Sequence, residues 1–198
     1  GDRLPTTVAQ FRDWRLNTRR IRLDIEYDGT DFVGWQVQAR GRTVQGELSA
    51  ALDGFLQRNI VPVGAGRTDA GVHACGQVAH FDTDSKHDPE RMKRALNAIL
   101  PEDIAIKAVR DVPGDFHARY SALSKRYRYC ISMAKSPLLR RQAWTLHRPK
   151  LDVASMRDAS RLLRGVHGFE AFCNHDPPPD SFLCDIADCQ WMTTGDEI

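Results

Sequence analysis

The chain has 198 residues, 41% of them hydrophobic and 27% charged, with a formal net charge of +2. Those values are ordinary for a folded globular protein, and no run is long and apolar enough for a membrane-spanning helix. The five cysteines (Cys75, Cys130, Cys173, Cys184 and Cys189) are odd in number and lack a C-x-x-C pair, which argues against a disulfide framework or a zinc site and leaves reduced, mostly packed thiols as the expectation.

Residues 1–18 read as an N-terminal extension. No apolar core of the kind that marks a signal peptide occurs in residues 1–20, so the cytoplasm is the expected compartment. From Ile21 the stretch 19–28 alternates apolar and polar residues, the pattern of a half-buried strand. Residues 43–58 place Val44, Leu48, Leu52 and Phe55 at helical spacing behind Thr43 as N-cap. Strands are expected around 60–66 and 76–83. Asp88-Pro89-Glu90 combines an N-cap with proline at the first helical position, and the helix should run to about Leu100. Ile104–Val109 completes the set as a strand. Residues 19–112 therefore read β-α-β-β-α-β, the ferredoxin-like or RRM-like order.

A second domain, 113–198, is expected to begin near Val112-Pro113-Gly114. Between Lys125 and Met133, Tyr127, Tyr129 and Ile131 alternate with Arg126, Arg128 and Cys130, as in a strand. An amphipathic helix over 153–164 follows Asp152, and 183–193 reads as a strand. His175–Asp180 reads as a proline-stiffened surface loop. The chain opens on Gly1 rather than Met, and 191–198 reads as a strand, a turn and the start of a partner strand; the expectation is a fragment.

The small net charge hides an asymmetry. Residues 110–150 carry ten Lys/Arg against two Asp, whereas 151–198 carry three against nine acids. A basic block of that density suits a polyanionic partner, with a solvated basic face as the plain alternative. Arg119, Arg126, Arg128, Arg140 and Arg141 are the candidate phosphate contacts.

The most informative run is Gly64-Ala65-Gly66-Arg67-Thr68-Asp69-Ala70-Gly71-Val72-His73-Ala74. Glycines let backbone turn tightly and approach a ligand closely. A lone carboxylate, Asp69, is thus presented on a sharp loop between two strands, where sites concentrate. Neither a Walker lysine loop nor a dinucleotide fingerprint is present, since Gly64 and Gly66 lack a third glycine at the required spacing.

This run, with Gly76–Phe81 behind it, resembles the signature of the tRNA pseudouridine synthase A family. Other blocks agree in order: Tyr27–Gln36, Thr43–Leu48, Asp115–Arg119 and Lys125–Tyr129. The resemblance implies an α+β fold of two RRM/ferredoxin-like halves, with mainly antiparallel sheets forming a cleft. The second half is expected to be incomplete here, because the resemblance implies a further strand and a long apolar helix, and a C-terminal segment that supplies a basic and an apolar pocket residue. It also implies a homodimer acting on tRNA, with targets at positions 38–40 of the anticodon stem-loop.

Pseudouridine formation breaks a C–N glycosidic bond and rejoins the base through carbon. It is redox neutral and needs no metal or organic cofactor. It does need a carboxylate near the anomeric carbon, either as a nucleophile at C1′ or to remove a proton from C2′; Asp69 is the candidate catalytic residue. Arg67, two residues earlier, is a candidate to pair with Asp69, to bind a phosphate, or to fill the gap left by a flipped base. Tyr127 matches the tyrosine that the family sets against the target base, where its ring stacks on uracil. His80 reads as a packed or surface histidine, and Trp35 as packing for the loop after the first strand. Two other readings compete: a non-catalytic RNA-binding module, supported by the RRM-like order, and a glycosidase or nucleotide hydrolase, for which the motif lacks a second carboxylate.

Overall fold

The computed structural model describes residues 18–146, 151–173 and 181–193. The chain divides into two units, one ending at Arg126 and one beginning at Tyr127.

The first unit contains β1 (Arg19–Tyr27), α1 (Val44–Leu56), β2 (Val63–Gly64), β3 (Ala74–Thr83), α2 (Pro89–Ile99) and β4 (Ile104–Val112). The observed order is β-α-β-β-α-β, in a four-stranded sheet of order β2-β3-β1-β4. Every neighbouring pair is antiparallel. The alternation in β1 is realised in full: Ile21, Leu23, Ile25 and Tyr27 are buried against Val44, Leu48, Leu52, Met92 and Leu96 of the two helices. Each such aliphatic side chain removed from water contributes about 1.5–3 kcal/mol. The opposite face of the sheet is polar and ion-paired, with Arg20 on Asp82, Arg22 and Arg110 on Asp24, and Lys107 on Glu26.

Both helix starts are where their caps place them. Thr43 accepts from the Gly46 amide at 3.2 Å. Asp88 accepts from the Glu90 and Arg91 amides, ahead of Pro89 in the first turn. α1 ends at Gln57, which takes the left-handed conformation at φ 54° and turns the chain towards Ile60. The strand expected over 60–66 is shorter than its apolar run: only Val63 and Gly64 pair, opposite His80 and Ala79. This is the sheet edge, and Pro62 cannot donate to a ladder.

The second unit has β5 (Ile131–Ser132) parallel to β6 (Trp144–Thr145), then α3 (Val153–Ser160) running into a 3₁₀ turn at Arg161–Leu163. A ladder of β7 (Gly165–Gly168) and β8 (Leu183–Ile186) is antiparallel. Asp152 caps α3, accepting from the Ser155 amide at 3.0 Å and hydroxyl at 2.7 Å, and these bonds hold its carboxyl below the usual range. The described residues are mixed α+β with mainly antiparallel sheets, and none of their helices is long and apolar enough to cross a membrane.

Three expectations need correction here. The alternating stretch Lys125–Met133 forms a strand only at Ile131–Ser132, because Tyr127 and Tyr129 remain 74% and 84% exposed and neither face is covered among the described residues. The strand expected over 183–193 stops at Ile186, where its pairing with β7 ends. The thiols are not mostly packed: Cys75, Cys130, Cys173 and Cys184 are exposed, and Cys189 is half-buried. All but Cys75 lie in the second unit, where few described side chains are buried. The loop His175–Asp180 and residues 194–198 lie outside the described residues.

Candidate active site

Asp69 stands in the first unit, on the connection between the edge strand β2 and the long strand β3. The turn itself is local. The Val72 amide donates to the Asp69 carbonyl at 3.2 Å, and Gly71 sits in the third position at φ +78°, as a type II turn requires.

The loop is held from beneath by the segment 28–43, between β1 and α1. The Trp35 amide donates to the Thr68 carbonyl at 3.0 Å, and the Gly71 amide to the Phe32 carbonyl at 3.2 Å. The Tyr27 hydroxyl, at the end of β1, shares a 2.8 Å hydrogen bond with the Thr68 hydroxyl. Burial raises the Tyr27 phenol above its ordinary range, so it stays protonated. On the β3 side, the Ala65 amide reaches the Val78 carbonyl at 2.7 Å, and the Gln77 side-chain amide reaches the Gly66 carbonyl at 2.8 Å. The residues on both sides of Asp69 are thus tied down.

Two glycines make the close approach of the two loops possible. A Cβ on Gly34, at φ +109°, would lie 2.6 Å from the Thr68 carbonyl oxygen. One on Gly29 would lie 2.0 Å from the Val72 carbonyl oxygen. Trp35 is 2% exposed and packs at 6.3 Å, ring centre to ring centre, from Tyr27, beneath Gly64. His73 closes the loop: its Nδ1 lies 3.2 Å from the Gly29 amide and 3.0 Å from an Asp28 carboxylate oxygen. These contacts are alternatives, since Nδ1 accepts from Gly29 in the tautomer that leaves it bare and donates to Asp28 in the one that gives it the hydrogen.

The Asp69 side chain is exposed. Among the described residues its carboxylate takes no hydrogen bond and joins no ion pair. It is therefore not spent on stabilising its own turn, the usual structural job of a loop aspartate. Arg67 is exposed too and does not pair with Asp69, which leaves its guanidinium available to a ligand. One cation that the motif reading did not single out lies here as well. A Cβ on Gly66 would sit 3.2 Å from the Lys125 ammonium nitrogen, so that amine rests against the backbone one residue before Arg67. Nothing in its local sequence distinguishes Lys125 from the basic residues that follow it; only the fold brings it to the loop.

The remaining candidates belong to both units, Arg119 and Arg126 to the first and Tyr127, Arg128, Arg140 and Arg141 to the second. Arg119 is exposed, its guanidinium 5.8 Å from the Tyr120 ring centre. Arg126, Arg128, Arg140 and Arg141 are exposed, the last two in the turns between β5 and β6. Tyr127 belongs to the second unit and presents most of its ring to solvent. No group of His, Cys, Asp and Glu fit to hold a metal ion occurs among the described residues.

A family model described as tRNA pseudouridine synthase matches residues 25–121, the stretch containing the Asp69 loop and its supports. The chain is 48% identical over 156 residues to a tRNA pseudouridine synthase A of Ruminiclostridium cellulolyticum, covering 78% of this chain and 63% of that protein. It is 45% identical over 172 residues to the enzyme of that name from Chlorobium phaeovibrioides, covering 86% of this chain and 70% of the relative. For the Halalkalibacterium halodurans protein of the same name the figures are 43% over 182 residues, 91% and 69%. The chain thus spans roughly two thirds of the length of these relatives, and over that span it carries the motif, the order of elements and the overall identity that place it in the tRNA pseudouridine synthase family.

Proposed function

We propose that this chain isomerises uridine to pseudouridine in tRNA, with Asp69 as the catalytic carboxylate and the anticodon stem-loop, positions 38–40, as its target. The observation that carries the reading is an exposed carboxylate that has no partner among the described residues, on a loop that is otherwise fixed by hydrogen bonds on both sides. A turn built that firmly around an unused charge suits a group waiting for substrate.

In the reaction, the N1–C1′ bond of uridine breaks and a C5–C1′ bond forms. C5 loses its proton, N1 gains one, and no electrons leave the system. Asp69 serves this chemistry as an ionised group close to the sugar, by addition to C1′ or by removal of the C2′ proton. Arg67 is read as a contact to the RNA, by a phosphate or in the space left by the flipped base, since it is not consumed by Asp69. Tyr127 is assigned to the target base through its match to the family's tyrosine. The basic stretch 110–150 supplies phosphate contacts, with Arg119, Arg126, Arg128, Arg140 and Arg141 as candidates. A homodimer spanning one tRNA, working in the cytoplasm without a cofactor, completes the proposal.

The test is to incubate an unmodified tRNA transcript with the protein and map pseudouridine by carbodiimide modification and primer extension. New stops confined to the anticodon stem-loop are expected. Release of free uracil would identify a hydrolase instead, and tight binding with unchanged uridines would identify an RNA-binding module.

A further inference from the structure

The polar face of the first sheet is not bare throughout. Residues 113–121, which lead from β4 towards Lys125, are fastened across it by three side chains. Arg20 of β1 forks onto Asp82 at 2.7 and 2.8 Å and donates from its remaining terminal nitrogen to the Phe116 carbonyl at 2.7 Å. Arg22 stands over the Phe116 ring, 5.9 Å from its centre. His80 of β3 accepts the Ala118 amide proton at Nδ1, at 3.2 Å. The last contact is buried, with His80 only 5% and Ala118 only 2% exposed. The His117 ring lies 4.8 Å from the His80 ring and the Phe116 ring 6.1 Å from it, both edge-on.

We propose that His80 is a positioning residue for the Asp69 site: its ring, with Arg20 and Arg22, clamps residues 113–121 to the sheet and so fixes the stretch of chain that delivers Lys125 to Gly66. The inference rests on the reading of the Asp69 loop as the site. His80 is also the register partner of Val63 on β2, the residue immediately before the glycine that opens that loop. One imidazole therefore backs both the root of the loop and the connector. Beyond the clamp the chain is wound into a turn, the Ser121 amide donating to the His117 carbonyl at 2.8 Å and the Ser121 hydroxyl accepting from the His117 amide at 3.0 Å. An apolar residue at position 80 would fill the same space but leave the buried Ala118 amide without an acceptor, which is costly.

The clamp depends on an unprotonated Nδ1. The groups facing the ring are Arg20 and Arg22 from β1, Asp82 from β3, the Val63 carbonyl from β2 and His117 from the connector, whose Asp115 acts on Arg20. Burial, then the charge of Arg20 and the neighbouring His117, hold the ring neutral to below its ordinary range, and Asp82 and the Val63 carbonyl offset them only in part. Once Nδ1 takes a proton it faces the Ala118 amide donor to donor, and the clamp opens.

Hydrogen–deuterium exchange on the whole chain tests this without requiring turnover, so its failure is separable from failure of the proposed activity. Wild type, His80→Asn and His80→Leu are compared at about pH 7.5 and about pH 5, with intrinsic exchange rates corrected. An asparagine Oδ1 can replace Nδ1 as acceptor and does not titrate. At the higher pH, His80→Leu is expected to lose about tenfold or more in protection over residues 116–126 while β1 stays protected, and His80→Asn to stay near wild type. On acidification the wild type should lose about tenfold there and His80→Asn should not. Unchanged connector protection in a folded His80→Leu would overturn the proposal, as would equal acid responses in wild type and His80→Asn. If His80→Leu loses protection in β1 as well, the comparison between wild type and His80→Asn decides.

Discussion

Asp69 works, on this reading, because its neighbours do the structural work that it does not. Thr68 is bound at its carbonyl by Trp35 and at its hydroxyl by Tyr27. Removing that second bond is a contained test. Tyr27→Phe keeps the buried ring and should cost about 1 kcal/mol of stability, while turnover falls several-fold through a looser loop. Chemical denaturation and steady-state kinetics read the two effects separately; unchanged kinetics would show that the bond serves folding only. His80 gives a second prediction, for stability against pH. Its folded-state affinity for protons is depressed from the ordinary value of 6.5, so below about that pH the unfolded chain binds a proton that the folded chain refuses. Its stabilising contribution is complete above about pH 6.5 and is lost as pH falls through the lower folded-state value. Melting curves of wild type and His80→Asn should therefore diverge below about pH 6.5, the wild type losing more.

At the scale of elements, the first unit was legible because local signals and burial agree. Thr43 and Asp88 cap the helices that their positions announced, and the alternation of Ile21, Leu23 and Ile25 is the core face of β1. The stretch Lys125–Cys130 shows the reverse case: strong alternation with both faces exposed forms no strand, because period-two patterning specifies a strand only when one face is covered. In the candidate site, the position of Asp69 on a turn between two strands was legible from its glycine-framed run. Its anchors were not, since the contacts of Tyr27, Phe32 and Trp35 with that loop cross about thirty residues or more of sequence. Gly34 shows how tight this inter-loop packing is. At φ +109°, with the Thr68 carbonyl 2.6 Å from a would-be Cβ, Gly34→Ala must move the Asp69 loop or strain its own backbone. The expected cost is about 1–3 kcal/mol with activity lost more than tenfold. A calorimetric scan and a rate measurement on the same preparation check it, and a wild-type rate would show that the loop tolerates the displacement.

For the whole molecule, charge is the property that sequence conveys most directly and structure qualifies least. The excess of ten basic residues over two acidic ones in 110–150 predicts affinity for tRNA that falls steeply with salt. Replacing Arg140 and Arg141 together by Gln should weaken tRNA binding and lower the slope of log K against log salt by about one to two. A slope equal to wild type would remove both from the interface. By contrast, the split between Arg126 and Tyr127 has no sharp compositional mark, since basic residues continue across it.

The claim on which the rest depends is that Asp69 performs the isomerisation. Tritium release from tRNA labelled at uridine C5, measured for the wild-type chain and for Asp69→Ala, addresses it most directly. Release by the wild type, reduced at least about a thousandfold in the variant while tRNA affinity is retained, is the expected result. Equal release by both proteins, or none by the wild type, would contradict it.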